Sequence, residues 1–177
     1  MSWPARVAVA VLAAAVVACA RSPRPSGGAT QVATPEVVIV STVTLFFPGE
    51  AGLLEREPRE VADLPESGPA RIRAIMAELL AGSQNGRAPL LPWTATLNAA
   101  FVDRAGNAYV DLSAPPTGAV EGTASESALV YGIVQSVVAN CPGVERVQLL
   151  FGGSEVVTLG HLDLSRPLAP RPELVAP

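Results

Sequence analysis

Apolar and polar residues alternate along residues 37–168 with two periods, one typical of helices and one typical of strands. In the first helical segment apolar residues recur at intervals of three and four: Ile72, Ile75, Met76, Leu79 and Leu80. These intervals place the five side chains on one face of a helix. Pro69 suits the first turn of this helix, and Gly82 suits the position just after its end.

A second helix is predicted from about Ala124 to Ala139 and ends before the Asn-Cys-Pro-Gly run at 140–143. Its apolar face is broader and comprises Leu129, Val130, Ile133, Val134, Val137 and Val138. Thr123 and Glu126 form an S/T-x-x-E capping box at its start, in which the carboxylate accepts a hydrogen bond from the N-cap amide. We interpret both residues as a structural cap, and a ligand site at Glu126 is the alternative.

Shorter apolar runs, most of them rich in β-branched residues, are predicted as strands. They are 37–47, part of 53–64, 94–104, 108–112, 144–151 and 155–158. Pro58 limits the second run to a short edge strand, and we interpret the charged residues around it as a solvated face. From Leu164 onward the chain is rich in Pro and is predicted to fray.

This order of elements predicts an α+β protein, built as a two-layer α/β sandwich. We expect a mixed sheet of about four or five strands with both helices on one face. The second helix can connect two parallel strands through a right-handed crossover. The predicted core comprises Ile72, Ile75, Met76, Leu79, Leu129, Ile133, Val137, Leu149 and Phe151.

The amino-terminal residues have the pattern of an exported lipoprotein. Arg6 precedes an uncharged run at 7–18, which is too short for a spanning helix and typical of the core of a signal peptide. The run ends in Val16-Val17-Ala18-Cys19, which resembles the bacterial lipobox. That resemblance implies cleavage before Cys19 and acylation of its thiol, and an ordinary signal peptide that contains a Cys is the alternative.

The predicted domains follow from these segments. They are a signal peptide at 1–18, a flexible tether at 19–36 that begins with lipidated Cys19, a folded domain at 37–168 and a Pro-rich tail at 169–177. The two or three acyl chains of a bacterial lipoprotein give a stable anchor, whereas one chain alone binds only marginally. We therefore expect an extracytoplasmic protein, on the outer face of the cytoplasmic membrane or on the periplasmic side.

Composition excludes several classes of function. The 177 residues are 49% apolar and 16% charged, which is typical of a folded domain and not of a disordered chain. The net charge of -4 excludes the basic surface of a general nucleic-acid binder. Two Cys and one His cannot form a Cys-based zinc site or a multi-His metal site, so we predict neither a metal nor a cofactor.

Few residues could carry chemistry, and each has a structural interpretation beside the functional one. His161 could act as a general base or metal ligand, or it hydrogen-bonds the turn after the last strand. Cys141 could be a nucleophile or a half-buried structural thiol. Asp111 and Ser113 form either a loop site or a side-chain cap of the loop before Pro115. The sequence lacks a G-x-S-x-G elbow and a phosphate loop, so we expect no enzyme activity.

An ordered set of short motifs runs through residues 43–168. The set comprises LFFP at 45–48, Leu54, Glu55, Arg59, Val61, IMAELLAG at 75–82, Leu91-Pro92, Thr96-Leu97, YVDLS at 109–113, residues 126–135, Pro142-Gly143-Val144, residues 147–150, Gly160-His161, Asp163, Ser165, Pro167 and Leu168. In this order the motifs resemble the GerMN (germane) domain of bacterial sporulation and germination proteins and of some envelope lipoproteins.

The resemblance implies a non-catalytic module of the cell envelope, with a fold similar to the ring-building motifs of secretion-type assemblies. It provides no catalytic residues. The chain carries one copy of the pattern where sporulation members carry two, which argues against a role in sporulation itself.

Two hypotheses for the function follow. The first is a lipid-anchored module that mediates protein–protein interaction or assembly, with envelope proteins, the membrane and its own copies as partners and no nucleic acid. The alternative is a module that binds a small ligand or a cell-wall glycan, for which Trp93 is the aromatic candidate. A large exposed apolar patch would favour the first, and a deep pocket with polar groups would favour the second.

Overall fold

The helices and strands follow one another in nearly the order that the sequence predicts. A computed structural model describes residues 38–49, 52–115 and 122–177, so the predicted signal peptide, Cys19 and the tether lie outside the described residues. The elements are β1 (Val40–Pro48), β2 (Leu54–Ala62), α1 (Gly68–Leu80), β3 (Leu97–Val102), β4 (Asn107–Leu112), α2 (Thr123–Asn140), β5 (Arg146–Phe151), β6 (Ser154–Glu155), β7 (Thr158–Leu159), β8 (Leu162–Asp163) and a 3-10 helix (Pro172–Leu174).

A mixed sheet with the strand order β3-β4-β5-β6 forms one layer of the described fold. β3 and β4 are an antiparallel hairpin, and β4 pairs in parallel with β5 after the crossover through α2. Ala100, Val110 and Leu149 stand side by side in register and are buried, so this face of the sheet is the core face. α1 packs on β3, α2 packs on β5, and the two helices touch each other. Both helices therefore lie on one face, which confirms the predicted α+β class.

The predicted core is confirmed, because all nine residues predicted for it are at most 6% exposed. The hydrophobic period alone predicts these core residues, because residues on one face of a helix or strand are close in sequence. Leu79, for example, is 2% exposed in the last turn of α1. We expect Leu79→Ala to cost about 2–5 kcal/mol of stability.

The first two strands form a separate sheet of their own. β1 and β2 pair as a nine-residue antiparallel hairpin, which packs against α2. The prediction of a short edge strand after β1 is therefore wrong in length. Pro58 is tolerated opposite Thr44 because β2 lies at the outside of this hairpin, where a missing N–H breaks no continuous ladder.

The other edge of β1 is covered by side chains of α2. Asn140 accepts a hydrogen bond from the Thr44 amide at 2.9 Å, and its own amide group donates to the Thr44 carbonyl at 2.7 Å. The Ser136 hydroxyl accepts from the Phe46 amide at 3.0 Å. Helix side chains thus replace a neighbouring strand along this edge, which satisfies backbone groups that an open edge would leave unpaired.

The carboxyl-terminal segment is packed, so the prediction that it frays is wrong. Leu168 exchanges two backbone hydrogen bonds with Val147 of β5, at 2.8 and 2.9 Å. Further along, the Arg171 guanidinium lies 4.9 Å from the ring centre of Tyr131, and Val175 pairs with Leu54 at the start of β2. The prolines favour an extended chain, and the apolar residues between them pack on the domain. The segment thereby connects the mixed sheet with the β1–β2 hairpin.

Candidate functional site

The residues singled out from the sequence lie at separate places in the fold and do not form one cleft. Trp93 precedes β3, Asp111 and Ser113 lie at the end of β4, Glu126 is in the first turns of α2, and His161 lies between β7 and β8. The structure brings Glu126 and His161 together. Within the described ranges there is no group of three or more His, Cys, Asp or Glu side chains that could hold a metal ion.

Glu126 fastens the β7–β8 turn to α2. Its side chain is 3% exposed, and its Oε2 accepts a hydrogen bond from the backbone amide of His161 at 2.8 Å. A side chain at Gly160 would overlap this carboxylate, and Gly160 also has a positive φ of 58°. Glycine is therefore required where the turn approaches the helix.

The predicted capping box is wrong, because α2 starts one residue earlier than expected. Gly122 is the N-cap, with no side-chain cap hydrogen bond, and Thr123 is the first helical residue. The side chain of Thr123 lies outside the described side chains. This shift makes Glu126 the fourth helical residue instead of the third, where a capping box would place it. Its carboxylate instead accepts a hydrogen bond from the β7–β8 turn.

His161 contributes its backbone amide to this contact. Its imidazole is 77% exposed, and Nδ1 lies 3.5 Å from Glu126 Oε2, so the two form an ion pair only when the imidazole is protonated. The hydrogen bond observed for His161 therefore joins its main chain to α2, and it is not the contact with the turn that the sequence predicts.

Asp111 and Ser113 also bind backbone amides. Asp111 Oδ1 accepts from the Gly153 amide at 2.9 Å, which fixes the turn between β5 and β6. The Ser113 hydroxyl accepts from the Thr96 amide at 3.0 Å, which fixes the entry to β3. Both side chains thus contact segments outside the loop before Pro115, namely the entry to β3 and the β5–β6 turn.

Cys141 is buried just after α2, and burial raises the pKa of its thiol to about 11. A thiol with so high a pKa is a poor nucleophile at neutral pH.

Trp93 borders a cavity of about 320 Å³ between the end of α1 and the loop that leads to β3. Most of the lining is apolar and comprises Leu79, Leu80, Pro89, Leu90, Leu91, Pro92 and Ala95. Among the described residues, the buried Nε1 of Trp93 finds no hydrogen-bond partner. Leaving such a donor unpaired costs about 1–3 kcal/mol.

A buried cluster of charged residues lies where a solvated face was predicted. Glu57 and Arg59 of β2 are 1% and 3% exposed and are joined by an ion pair of 2.7 Å. Arg87 from the loop after α1 donates to Glu57 at 3.0 Å and to Glu55 at 2.9 Å. Glu78 of α1 accepts from Arg59 at 3.0 Å. These five residues form what we call the β2 charge cluster.

The β2 charge cluster keeps Glu57 ionised. Burial by itself raises the pKa of a carboxyl group, but here hydrogen bonds outweigh it. The donors are the Ser83 hydroxyl, the Gln84 amide, Arg59 and Arg87, and the pKa of Glu57 falls to about 2. Because every described partner is a residue of the domain, the cluster fixes the loop after α1 in place.

Comparison with known proteins agrees with this architecture. Solved structures of the sporulation protein GerM from Bacillus subtilis match at 18% identity over 73% of this chain. Its first GerMN domain matches with a TM-score of 0.54 over 97% of that chain. The tandem GerMN domains match with a TM-score of 0.52, and this chain spans 46% of the tandem chain. At this identity the likeness establishes the fold alone.

No curated protein matches the chain at a significant level. The model of the Germane family, described as sporulation and spore germination, matches residues 44–157. This range agrees with the ordered motifs found at 43–168 and covers well over half of the sequence. The chain therefore belongs to the Germane, or GerMN, family.

Proposed function

We propose that this protein is a lipid-anchored, non-catalytic GerMN module that mediates protein–protein interaction or assembly in the bacterial cell envelope. The observation that carries the proposal is that the polar side chains considered as site residues hydrogen-bond to the backbone of the domain. Glu126, Asp111 and Ser113 each accept a hydrogen bond from a backbone amide of the domain itself. Groups engaged in this way position segments of the fold.

The attachment to the membrane is inferred from the sequence. The run that ends in Val16-Val17-Ala18-Cys19 supports cleavage before Cys19 and acylation of its thiol. No helix within the described ranges is long and apolar enough to span a bilayer. An acylated Cys19 would hold the module at the outer face of the cytoplasmic membrane or on the periplasmic side.

The edge of the mixed sheet supports an interaction role. β3 lies at one end of the strand order and carries no charged residue. Phe101 of this strand is 61% exposed and pairs in register with Tyr109 of β4. An uncharged edge strand with an exposed aromatic residue is a surface on which a further strand can add. The partner would be an envelope protein or a second copy of this chain.

Photo-crosslinking in intact envelopes tests this role. A photoreactive phenylalanine analogue at Phe101 is expected to yield a specific adduct with an envelope protein or with a second copy. The same analogue at Glu145, an exposed residue of the same domain, is the matched control. Equal adduct yields at the two positions would contradict the interaction role of this edge.

The second candidate function is binding of a small ligand or a cell-wall glycan. It is favoured by the cavity beside Trp93, where an apolar wall and an unpaired indole N–H lie together. Such a combination fits a ligand with an apolar body and one hydrogen-bond acceptor.

Titration with cell-wall oligosaccharides, followed by isothermal titration calorimetry, tests this candidate. Trp93→Phe is the matched variant, because it keeps an aromatic ring and removes the N–H donor. Loss of one hydrogen bond, worth about 1 kcal/mol, would weaken binding about fivefold. Absence of a saturable change in the wild-type protein would exclude the glycans tested.

A further inference from the structure

Three consecutive aliphatic side chains are exposed where the chain enters β1. Val38, Ile39 and Val40 are 54%, 67% and 56% exposed, and we call them the apolar tip. Farther along the same strand, Val43 and Leu45 are at most 1% exposed. Successive side chains of a strand point to opposite faces, so exposure of three in a row means that both faces of the tip are uncovered.

The end of α2 explains where the tip begins. Ser136 binds Phe46, and Asn140, the last residue of α2, binds Thr44. β1 and α2 therefore run in opposite directions along each other. Val43, next to Thr44, is still buried, and the residues before it extend past the end of the helix, where the tip lies.

The backbone of the tip is already paired at its centre. The Asp63 amide donates to the Ile39 carbonyl at 2.8 Å, and the Ile39 amide donates to Asp63 Oδ1 at 3.4 Å. The side chain of Ile39 could therefore enter an apolar medium while the N–H and C=O of this residue keep their hydrogen-bond partners.

The length of the chain that precedes the tip limits the distance between Cys19 and the tip. Eighteen residues, 20–37, connect Cys19 with Val38. Fully extended, they span at most about 65 Å, at roughly 3.3–3.6 Å per residue. If Cys19 is acylated, the bilayer surface is the apolar environment closest to the tip along the chain.

We propose that the apolar tip inserts into the lipid–water interface of the membrane that holds the acylated Cys19. This inference rests on the proposed lipid anchor and adds a second contact that orients the domain on the bilayer. Aliphatic side chains bind the headgroup–acyl boundary through burial of apolar area. The acidic Asp63 beside the tip gives no attraction to anionic lipids, so insertion is expected on zwitterionic lipid.

Depth-dependent quenching in vesicles tests the tip. The lipidated full chain is reconstituted into phosphatidylcholine vesicles that contain a brominated phosphatidylcholine, with an environment-sensitive fluorophore on Ile39→Cys. The matched control carries the fluorophore on Val157→Cys, because Val157 is another aliphatic residue and is 71% exposed. Both substitutions lie at the surface, and the buried Cys141 with its raised pKa resists labelling.

Roughly threefold stronger quenching at position 39 than at position 157 is expected, with a shift of its emission to shorter wavelength. Equal quenching at the two positions in vesicle-bound protein would overturn the tip and leave the anchor intact. Iodide in the aqueous phase quenches a fluorophore that is exposed to water. If the fluorophore at position 39 is protected from iodide but is not quenched by brominated lipid, the tip is covered by a second copy of the protein, and the proposal is overturned. If neither labelled protein floats with the vesicles, the anchor itself has failed and the tip proposal falls with it.

Discussion

In most proteins charged side chains are exposed and aliphatic side chains are buried, and the two strands of the first hairpin depart from this rule in opposite ways. β2 buries a carboxylate and a guanidinium, Glu57 and Arg59, whereas the exposed apolar tip at 38–40 leads into β1. In β2 the charges are buried because residues of α1 and its following loop pair with them. In β1 the apolar residues are exposed because the strand extends past the end of α2. The comparison shows that the partner supplied by another element, and not the residue type, decides burial in this hairpin.

The largest expected effect comes from breaking the β2 charge cluster. Glu57→Ala would leave Arg59 buried beside a cavity and without its 2.7 Å partner. Removing one member of a buried ion pair costs about 3–5 kcal/mol, because the remaining charge is uncompensated. Chemical denaturation would measure the loss. Glu60→Ala, at an exposed position of the same strand, should change stability by less than about 0.5 kcal/mol, and equal losses would show that the cluster is unimportant.

The same carboxylate gives stability a pH dependence of known sign. The pKa of Glu57 is about 2 in the folded protein and near 4.5 in the reference state. A group whose pKa is lowered by folding stabilises the fold above its unfolded pKa and loses that contribution as the pH falls toward its folded pKa. Unfolding by urea between roughly pH 5 and pH 2.5 should therefore show a steeper loss for wild type than for Glu57→Gln. If the free energy of unfolding falls with pH at the same rate in wild type and in Glu57→Gln, Glu57 is not held ionised in the folded protein.

The edge of β1 tests the other half of the comparison. Asn140→Ala removes the side chain that binds both the N–H and the C=O of Thr44. Unpaired buried backbone groups make this substitution cost about 1–3 kcal/mol in thermal or chemical unfolding. Asn98→Ala, at an exposed position on β3, is the control and should be nearly neutral. A neutral Asn140→Ala would mean that α2 does not determine where β1 leaves the core.

The smallest effect on stability is expected at the apolar tip. Ile39→Ser should change the free energy of unfolding by less than about 0.5 kcal/mol, since Ile39 is 67% exposed. A loss as large as that for Asn140→Ala would show that the tip is part of the packed core, and the comparison between the two strands would fail.

The helices and the core could be predicted from sequence because their signals are local. Ile72, Ile75 and Leu79 stand on one helical face by spacing alone, and all are buried. The β2 charge cluster could not be predicted in this way, because Ser83 and Arg87 come to Glu57 from a loop 26 and 30 residues later. The one available signal was the strand period, which places 55, 57 and 59 on the same side of β2.

Two other corrections have equally specific causes. The Pro-rich composition after Leu164 concealed the spaced apolar residues that pack on the domain, among them Leu168 and Val175. The start of α2 differed by one residue, which is within the usual uncertainty of helix ends. That single residue was enough to move Glu126 from a capping position to a contact with the β7–β8 turn.

Acylation of Cys19 is the central claim, because both the location of the module and the role of its tip depend on it. Metabolic labelling with a fatty acid tests it most directly, with wild type, Cys19→Ala and Cys141→Ala compared in the same cells. We expect label in wild type and in Cys141→Ala, whose thiol is buried, and none in Cys19→Ala. Label retained in Cys19→Ala at the wild-type level would contradict the anchor.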